Sequence, residues 1–219
     1  PAVGPSFNGA RAGASTGVPP QETGLLVPGV GRAMIFPPHQ LRPVSMSDAP
    51  FALPRVHCAR LPDAAAVNDA VAAAFERVRH RPDLRRSHLV EGRYENLYVP
   101  LELMPELAPV VDAARAHARA LLGADRLRSG FWLNAMEPGQ RTSAHSHDDD
   151  DELLVAVYYV NAPPGSGDLV LHERGLSLRL RPEPGLFVFF DPQVLHEVEA
   201  NEGGSLRLSV AFNFGPGDG

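Results

Sequence analysis

A chain of 219 residues has room for one ordinary domain and an appendage, and 44% hydrophobic with 21% charged residues is the balance of a soluble globular protein. A net charge of −6 argues against a nucleic-acid surface, which needs a basic patch to neutralise phosphates. No apolar run is long enough to span a membrane, and the opening Pro1-Ala2-Val3-Gly4-Pro5 has neither the basic start nor the apolar centre of a secretory signal. Cys58 is the single cysteine, so no intrachain disulfide can form and a cytoplasmic, reducing setting is expected. The basic residues are all arginine.

Residues 1–50 are rich in Gly, Pro, Ser and Ala without a sustained period, and read as an irregular arm. Within it, Leu25-Leu26-Val27 and Ala33-Met34-Ile35-Phe36 could dock as short strands. Residues 51–128 read as a helical support region. Pro62 and Asp63 mark the start of a helix running to about Arg79, with Val67, Val71, Phe75 and Val78 at helical spacing. Arg93 to Val99 looks extended. A second helix, Pro105 to Leu122, ends at Gly123 and carries Leu107, Val110, Val111, Ala114 and Leu121 on one stripe.

From residue 129 to 216 the pattern changes to short extended runs broken by turn signals. These runs are Phe131–Met136, Leu153–Val160, Asp168–His172, Leu176–Leu180, Leu186–Phe190 and Ser205–Phe214. Helices first and six or more strands after them predict an α+β domain, with helices buttressing one face of a β-sandwich.

His145, His147 and Asp149 occupy every second position of one segment, so an extended backbone would point all three the same way. His196 arrives behind the apolar run 186–190, and Arg207 follows eleven residues later. Two ligands on one strand and a third from a distant strand describe a non-haem iron site. Two registers are open. His147 with Asp149 gives His-x-Asp, whereas His145 with His147 gives an all-histidine site once His196 joins. A solvated acidic loop would also explain Asp148 to Glu152 taken alone.

Alternation in 205–214 places Leu206, Leu208, Val210, Phe212 and Phe214 on one face and Arg207, Ser209, Ala211 and Asn213 on the other. With the apolar face under the helices, Arg207 and Ser209 lie inside the sandwich. There an unpaired guanidinium would cost several kcal/mol. It needs a carboxylate, from an internal partner or from a dicarboxylic co-substrate clamped by two hydrogen bonds, with the Ser209 hydroxyl beside it.

Taken together, Trp132-x-Asn134, Gly139, His145-x-His147, Tyr158-Tyr159-Val160, Gly167, Phe189-Phe190, His196-Glu197-Val198 and Arg207-x-Ser209 resemble the iron(II)/2-oxoglutarate oxygenases. The resemblance is to the prolyl-hydroxylase-like branch and to a related bacterial group that shares the Trp-x-Asn and His-x-His spacing. It covers roughly residues 130 to 214. It implies a double-stranded β-helix, or jelly roll, that uses Fe(2+), 2-oxoglutarate and O2 to hydroxylate a small molecule or a peptide. By the same resemblance Arg207, Ser209 and Tyr159 hold the far carboxylate of 2-oxoglutarate, with Asn134 near it. Prolyl hydroxylases carry His-x-Asp and the bacterial group His-x-His, so the third ligand stays open between Asp149 and His145. A monomer or homodimer, with no nucleic-acid or membrane partner, is expected.

Two other readings compete. A cupin-like dioxygenase built on three histidines would use no 2-oxoglutarate and leaves Arg207 without a purpose. A non-enzymatic jelly-roll binding module would have no need of His147, His196 and Arg207 together. Arg93, Tyr94, Asn96, His172 and Arg174 are candidates for the mouth of the site, with no role assigned.

Overall fold

A computed structural model describes residues 54–147 and 151–217. In chain order the elements are β1 (Val56–Arg60), α1 (Ala64–Val78), β2 (Arg85–Val90), β3 (Arg93–Tyr98), a 3-10 turn (Pro105–Leu107) leading into α2 (Ala108–Leu122), and then β4 (Leu127–Met136). There follow β5 (Thr142–His145), β6 (Leu154–Asn161), β7 (Leu169–Glu173), β8 (Leu176–Leu180), β9 (Leu186–Phe190), β10 (Leu195–Val198) and β11 (Arg207–Pro216). Seven strands form a large antiparallel sheet in the order β1-β9-β6-β11-β4-β3-β2, and four form a smaller one in the order β5-β10-β7-β8. Two such sheets, closed on each other and carrying both helices on one side, make the expected double-stranded β-helix. The irregular arm and its two short apolar runs lie outside the described residues.

The large sheet has two faces with different partners. On the helix side Leu208, Val210, Phe212 and Phe214 of β11 join Phe75 of α1 and Val110, Val111 and Ala114 of α2 in one buried cluster. Burial of side chains of this size stabilises by roughly 1.5–3 kcal/mol each. On the other side Val155 and Tyr159 of β6, Val188 and Phe190 of β9, and Leu169 and Leu171 of β7 fill the space between the sheets. The period-2 alternation read from 205–214 therefore gives the correct sidedness of β11.

Three details depart from expectation. The region 51–128 supplies β1, β2 and β3 to the large sheet as well as the helices. On α2 the buried stripe passes through Val110, Val111, Ala114 and Ala118, and Leu121 in the last turn is 40% exposed. Asp63 stands at the start of α1 with a left-handed backbone and makes no side-chain cap, so it marks the start without closing a free N–H. Gly123 closes α2 in the left-handed conformation, and its N–H bonds to the Arg119 carbonyl.

Candidate active site

β5 and β10 meet antiparallel with His145 opposite His196, in a pairing whose register shifts before Val198. The backbone beyond β5 is held by His147, whose N–H donates to the Pro192 carbonyl at 2.8 Å. These contacts bring His145, His147 and His196 together, with one ring nitrogen of each within 4.8 Å of the others. Ring centroids are 4.2 Å apart for His145–His196, 5.4 Å for His147–His196 and 5.4 Å for His145–His147. Asp149 lies outside the described residues.

The backbone also orients two of the rings. His145 Nδ1 sits 2.9 Å from the Ser143 carbonyl and His196 Nδ1 sits 2.9 Å from the Val194 carbonyl. A carbonyl can only accept, so Nδ1 carries the proton in both rings and the Nε2 lone pair is left for a metal. Burial, with His145 and His147 close by, lowers His196 to about 3 and keeps it neutral, the form that binds a cation. His147 Nδ1 lies 3.3 Å from the Asn213 amide nitrogen, which also donates to Glu152 Oε1 at 3.2 Å. Asn213 shares the inward face of β11 with Arg207, yet its contact with His147 spans 66 residues and no local pattern announces it.

Beside the histidines lies a cavity of about 440 Å³. Arg207 and Ser209 form part of its wall, as do Asn134, Trp132 and Asn96. Arg207 is 1% exposed. Its Nη1 donates to the Gly167 carbonyl at 3.0 Å and approaches the Ser166 carbonyl at 3.4 Å, while its Nε has no partner. At Gly167 a φ of +89° suits glycine, and a Cβ there would lie 2.1 Å from the Glu199 carbonyl oxygen, so the glycine lets the backbone at 199–200 pack against this turn. Among the described residues no carboxylate pairs with the guanidinium; Asp168, which acts on it from a distance, lies 3.9 Å from Arg179 instead.

Tyr159 is fully buried, with the Arg207 guanidinium 5.3 Å from its ring centre. Burial pushes its hydroxyl up to about 12 against the opposing pull of Arg207, so it stays protonated and can donate. That hydroxyl lies beside the guanidinium without forming a well-shaped hydrogen bond. Asn134 Oδ1 is likewise buried without a partner. Arg207 and Ser209 thus stand in the cavity wall, with the Tyr159 hydroxyl buried beside the guanidinium.

Asn201 is a residue that the sequence did not single out. It is fully buried, its amide donates to the Met136 and Ser205 carbonyls at 2.9 Å each, and it ties the start of β11 to the end of β4 beside Arg207. Of the mouth candidates, Asn96 lines the cavity, whereas Arg93, Tyr94, His172 and Arg174 do not. Among the described residues no helix is long and apolar enough to cross a membrane.

The double-stranded β-helix thus carries three clustered imidazoles that could hold a metal ion, with a buried arginine beyond them. The same fold recurs in solved structures of non-haem iron enzymes. One is SnoK, a non-heme alpha-ketoglutarate-dependent carbocyclase from nogalamycin biosynthesis, with TM-score 0.61 and 18% identity over 74% of this chain and 79% of that one. Another is a prolyl hydroxylase from Trichoplax adhaerens in complex with a hypoxia-inducible-factor peptide, with TM-score 0.58 and 13% identity over 74% and 83%. A third is the epimerase SnoN in complex with Fe3+, alpha-ketoglutarate and nogalamycin RO, with TM-score 0.56 and 16% identity over 74% and 79%. No family model and no curated protein matches the sequence.

Proposed function

We propose that this protein is an iron(II)- and 2-oxoglutarate-dependent oxygenase that hydroxylates a peptide, an amino acid or a small natural product. The observation that carries the proposal is Arg207. A guanidinium 1% exposed, with a free N–H and no carboxylate partner among the described residues, is costly unless an anion completes it. The far carboxylate of 2-oxoglutarate matches the guanidinium in charge and offers two acceptor oxygens to its donors. Arg207 and the hydroxyls of Ser209 and Tyr159 would hold it, with Asn134 alongside, and the keto-acid end would then face the histidines. The likeness in fold to enzymes that bind these same groups supports the reading.

Iron, when bound, supplies the oxygen chemistry. The protein's own residues orient the co-substrate, keep His196 neutral and shield the site from water. The ligands would be His145, His147 and His196, the three imidazoles whose nitrogens converge. Asp149 remains the rival to His145, and metal retention in Asp149→Ala and His145→Ala decides between them. The variant that keeps full iron affinity has lost no ligand.

The test of the function is anaerobic addition of iron(II) and 2-oxoglutarate. A weak visible charge-transfer band is expected only when both are present, and Arg207→Ala should weaken 2-oxoglutarate binding by about 100-fold, the loss of a buried charge-assisted pair. The all-histidine cluster favours one second reading, a cupin-like dioxygenase without 2-oxoglutarate. A spectrum that responds to iron and never to 2-oxoglutarate would select it.

A further inference from the structure

We infer that the substrate carries a protonated amine or guanidinium, and that Glu95 recognises it. The inference rests on the oxygenase reading above, because it takes the Arg207 end of the cavity to be filled by an anionic co-substrate. Among the described residues that line the cavity there is one arginine, Arg207, and one acid, Glu95. The two formal charges are therefore divided between two different tasks.

Glu95 lies on β3, 6% exposed, beside Asn96. One of its oxygens, Oε1, accepts from Arg93 Nη2 at 3.2 Å. Arg93 does not line the cavity, nor do the residues whose carbonyls take its other bonds: Nη1 donates to the Ala135 carbonyl at 3.2 Å and Nη2 to the Arg141 carbonyl at 2.7 Å. The arginine thus braces the carboxylate from outside the lining, through a single bond to one oxygen. Among the described residues the carboxylate's one side-chain hydrogen bond is taken by Oε1, and Oε2 is the oxygen offered to a ligand.

The surroundings suit an organic cation. Trp132 also lines the cavity, and an aromatic face attracts ammonium and guanidinium groups, as the neighbouring Tyr98 ring already does with the Arg85 guanidinium 3.6 Å from its centre. A carboxylate that shares the cavity wall with the Trp132 ring favours a cation over a neutral molecule of the same shape. Its hydrogen bond to a charged donor is worth about tenfold or more in affinity. Glu95 is a specificity residue in this reading and takes no part in the oxygen chemistry.

Hexylamine and hexan-1-ol, matched in length and differing in charge at neutral pH, are the probes. Their binding to the full chain is read from the fluorescence of Trp132, the single tryptophan, with and without iron(II) and 2-oxoglutarate. Wild-type protein should prefer the amine by about tenfold, Glu95→Gln should reduce the preference to near parity, and Glu95→Asp should retain part of it. The iron and 2-oxoglutarate band and the thermal midpoint, measured on the same samples, report whether Glu95→Gln is folded and loaded. Equal binding of the two probes by wild type, or an undiminished preference in folded Glu95→Gln, overturns the inference. If Glu95→Gln does not fold, the wild-type preference and its retention in Glu95→Asp decide. An amine preference without any 2-oxoglutarate-dependent band would leave the Glu95 site standing and remove the oxygenase reading, and the converse result would do the opposite.

Discussion

The two faces of the large sheet are built from the same strands and solve opposite problems. On the helix side, β11 presents Leu208, Val210, Phe212 and Phe214 to hydrocarbon, and the buried tyrosine on that side, Tyr158, gives its hydroxyl to Asn68 Oδ1 at 2.6 Å. On the cavity side the same strand presents Arg207, Ser209 and Asn213, and Arg207 Nε, Asn213 Oδ1 and the nearby Asn134 Oδ1 and Tyr159 hydroxyl make no hydrogen bond among the described residues. Buried polar groups are ordinarily paired, so a concentration of exceptions on one face marks where a ligand belongs. One face holds the molecule together and the other holds unmet bonding capacity.

That contrast is open to a direct test on β11. Phe212→Ala, on the helix side, should destabilise the protein by about 3–5 kcal/mol, since it removes a fully buried ring and leaves a cavity. Arg207→Met, on the other side, should cost less than about 1 kcal/mol or stabilise, because an apolar side chain replaces an incompletely paired buried cation. Urea unfolding of both variants measures the difference. Equal losses would mean that Arg207 is a structural residue and that its face is not held ready for a ligand.

The next effect in size is one of pH, and it belongs to the cavity side alone. His196 is lowered from 6.5 to about 3 by burial and by the imidazoles beside it. Above pH 6.5 it is neutral whether the chain is folded or not. As pH falls below that value the unfolded chain takes up a proton which the folded protein refuses until about 3, so stability declines through this window by a few kcal/mol. Denaturant midpoints of metal-free protein between pH 7 and pH 4 should show the decline, and His196→Gln should flatten it. Bound metal should oppose it, because protons and metal compete for the same nitrogens.

How far the sequence reveals these two faces depends on how local the signal is. Alternation along 205–214 is local, and it assigns every side chain of β11 to the correct face. The run Leu186–Phe190 and the Leu176, Leu178, Leu180 alternation are equally direct, and their strands appear where they were expected. The edge strands β1 and β2 carry mixed sequences, Val-His-Cys-Ala-Arg and Arg-Arg-Ser-His-Leu-Val, since an edge needs no continuous apolar run, and neither was foreseen. The site divides in the same way. His145, His147, His196, Arg207 and Ser209 stand out by type and spacing. Asn213, Asn201 and Glu95 are ordinary polar residues until the fold sets them against His147, the Met136 carbonyl and the cavity wall. What chain position hides in these cases is tertiary partnership.

The smallest effect separates the faces most cleanly, because it uses adjacent residues and one atom. Tyr158 and Tyr159 are both fully buried and, as neighbours on β6, point to opposite faces. Tyr158→Phe removes a hydroxyl that Asn68 accepts from, and it strands a buried amide oxygen, so it should cost about 1–3 kcal/mol. Tyr159→Phe removes a hydroxyl that makes no well-shaped hydrogen bond among the described residues and should leave the stability of the ligand-free protein within about 0.5 kcal/mol of wild type. Its loss should appear only with ligand, as roughly tenfold weaker 2-oxoglutarate binding. Unfolding curves with and without 2-oxoglutarate, run on both variants, give all four numbers. If Tyr159→Phe destabilises the free protein as much as Tyr158→Phe does, its hydroxyl has a partner within the fold and the carboxylate receptor loses one of its donors.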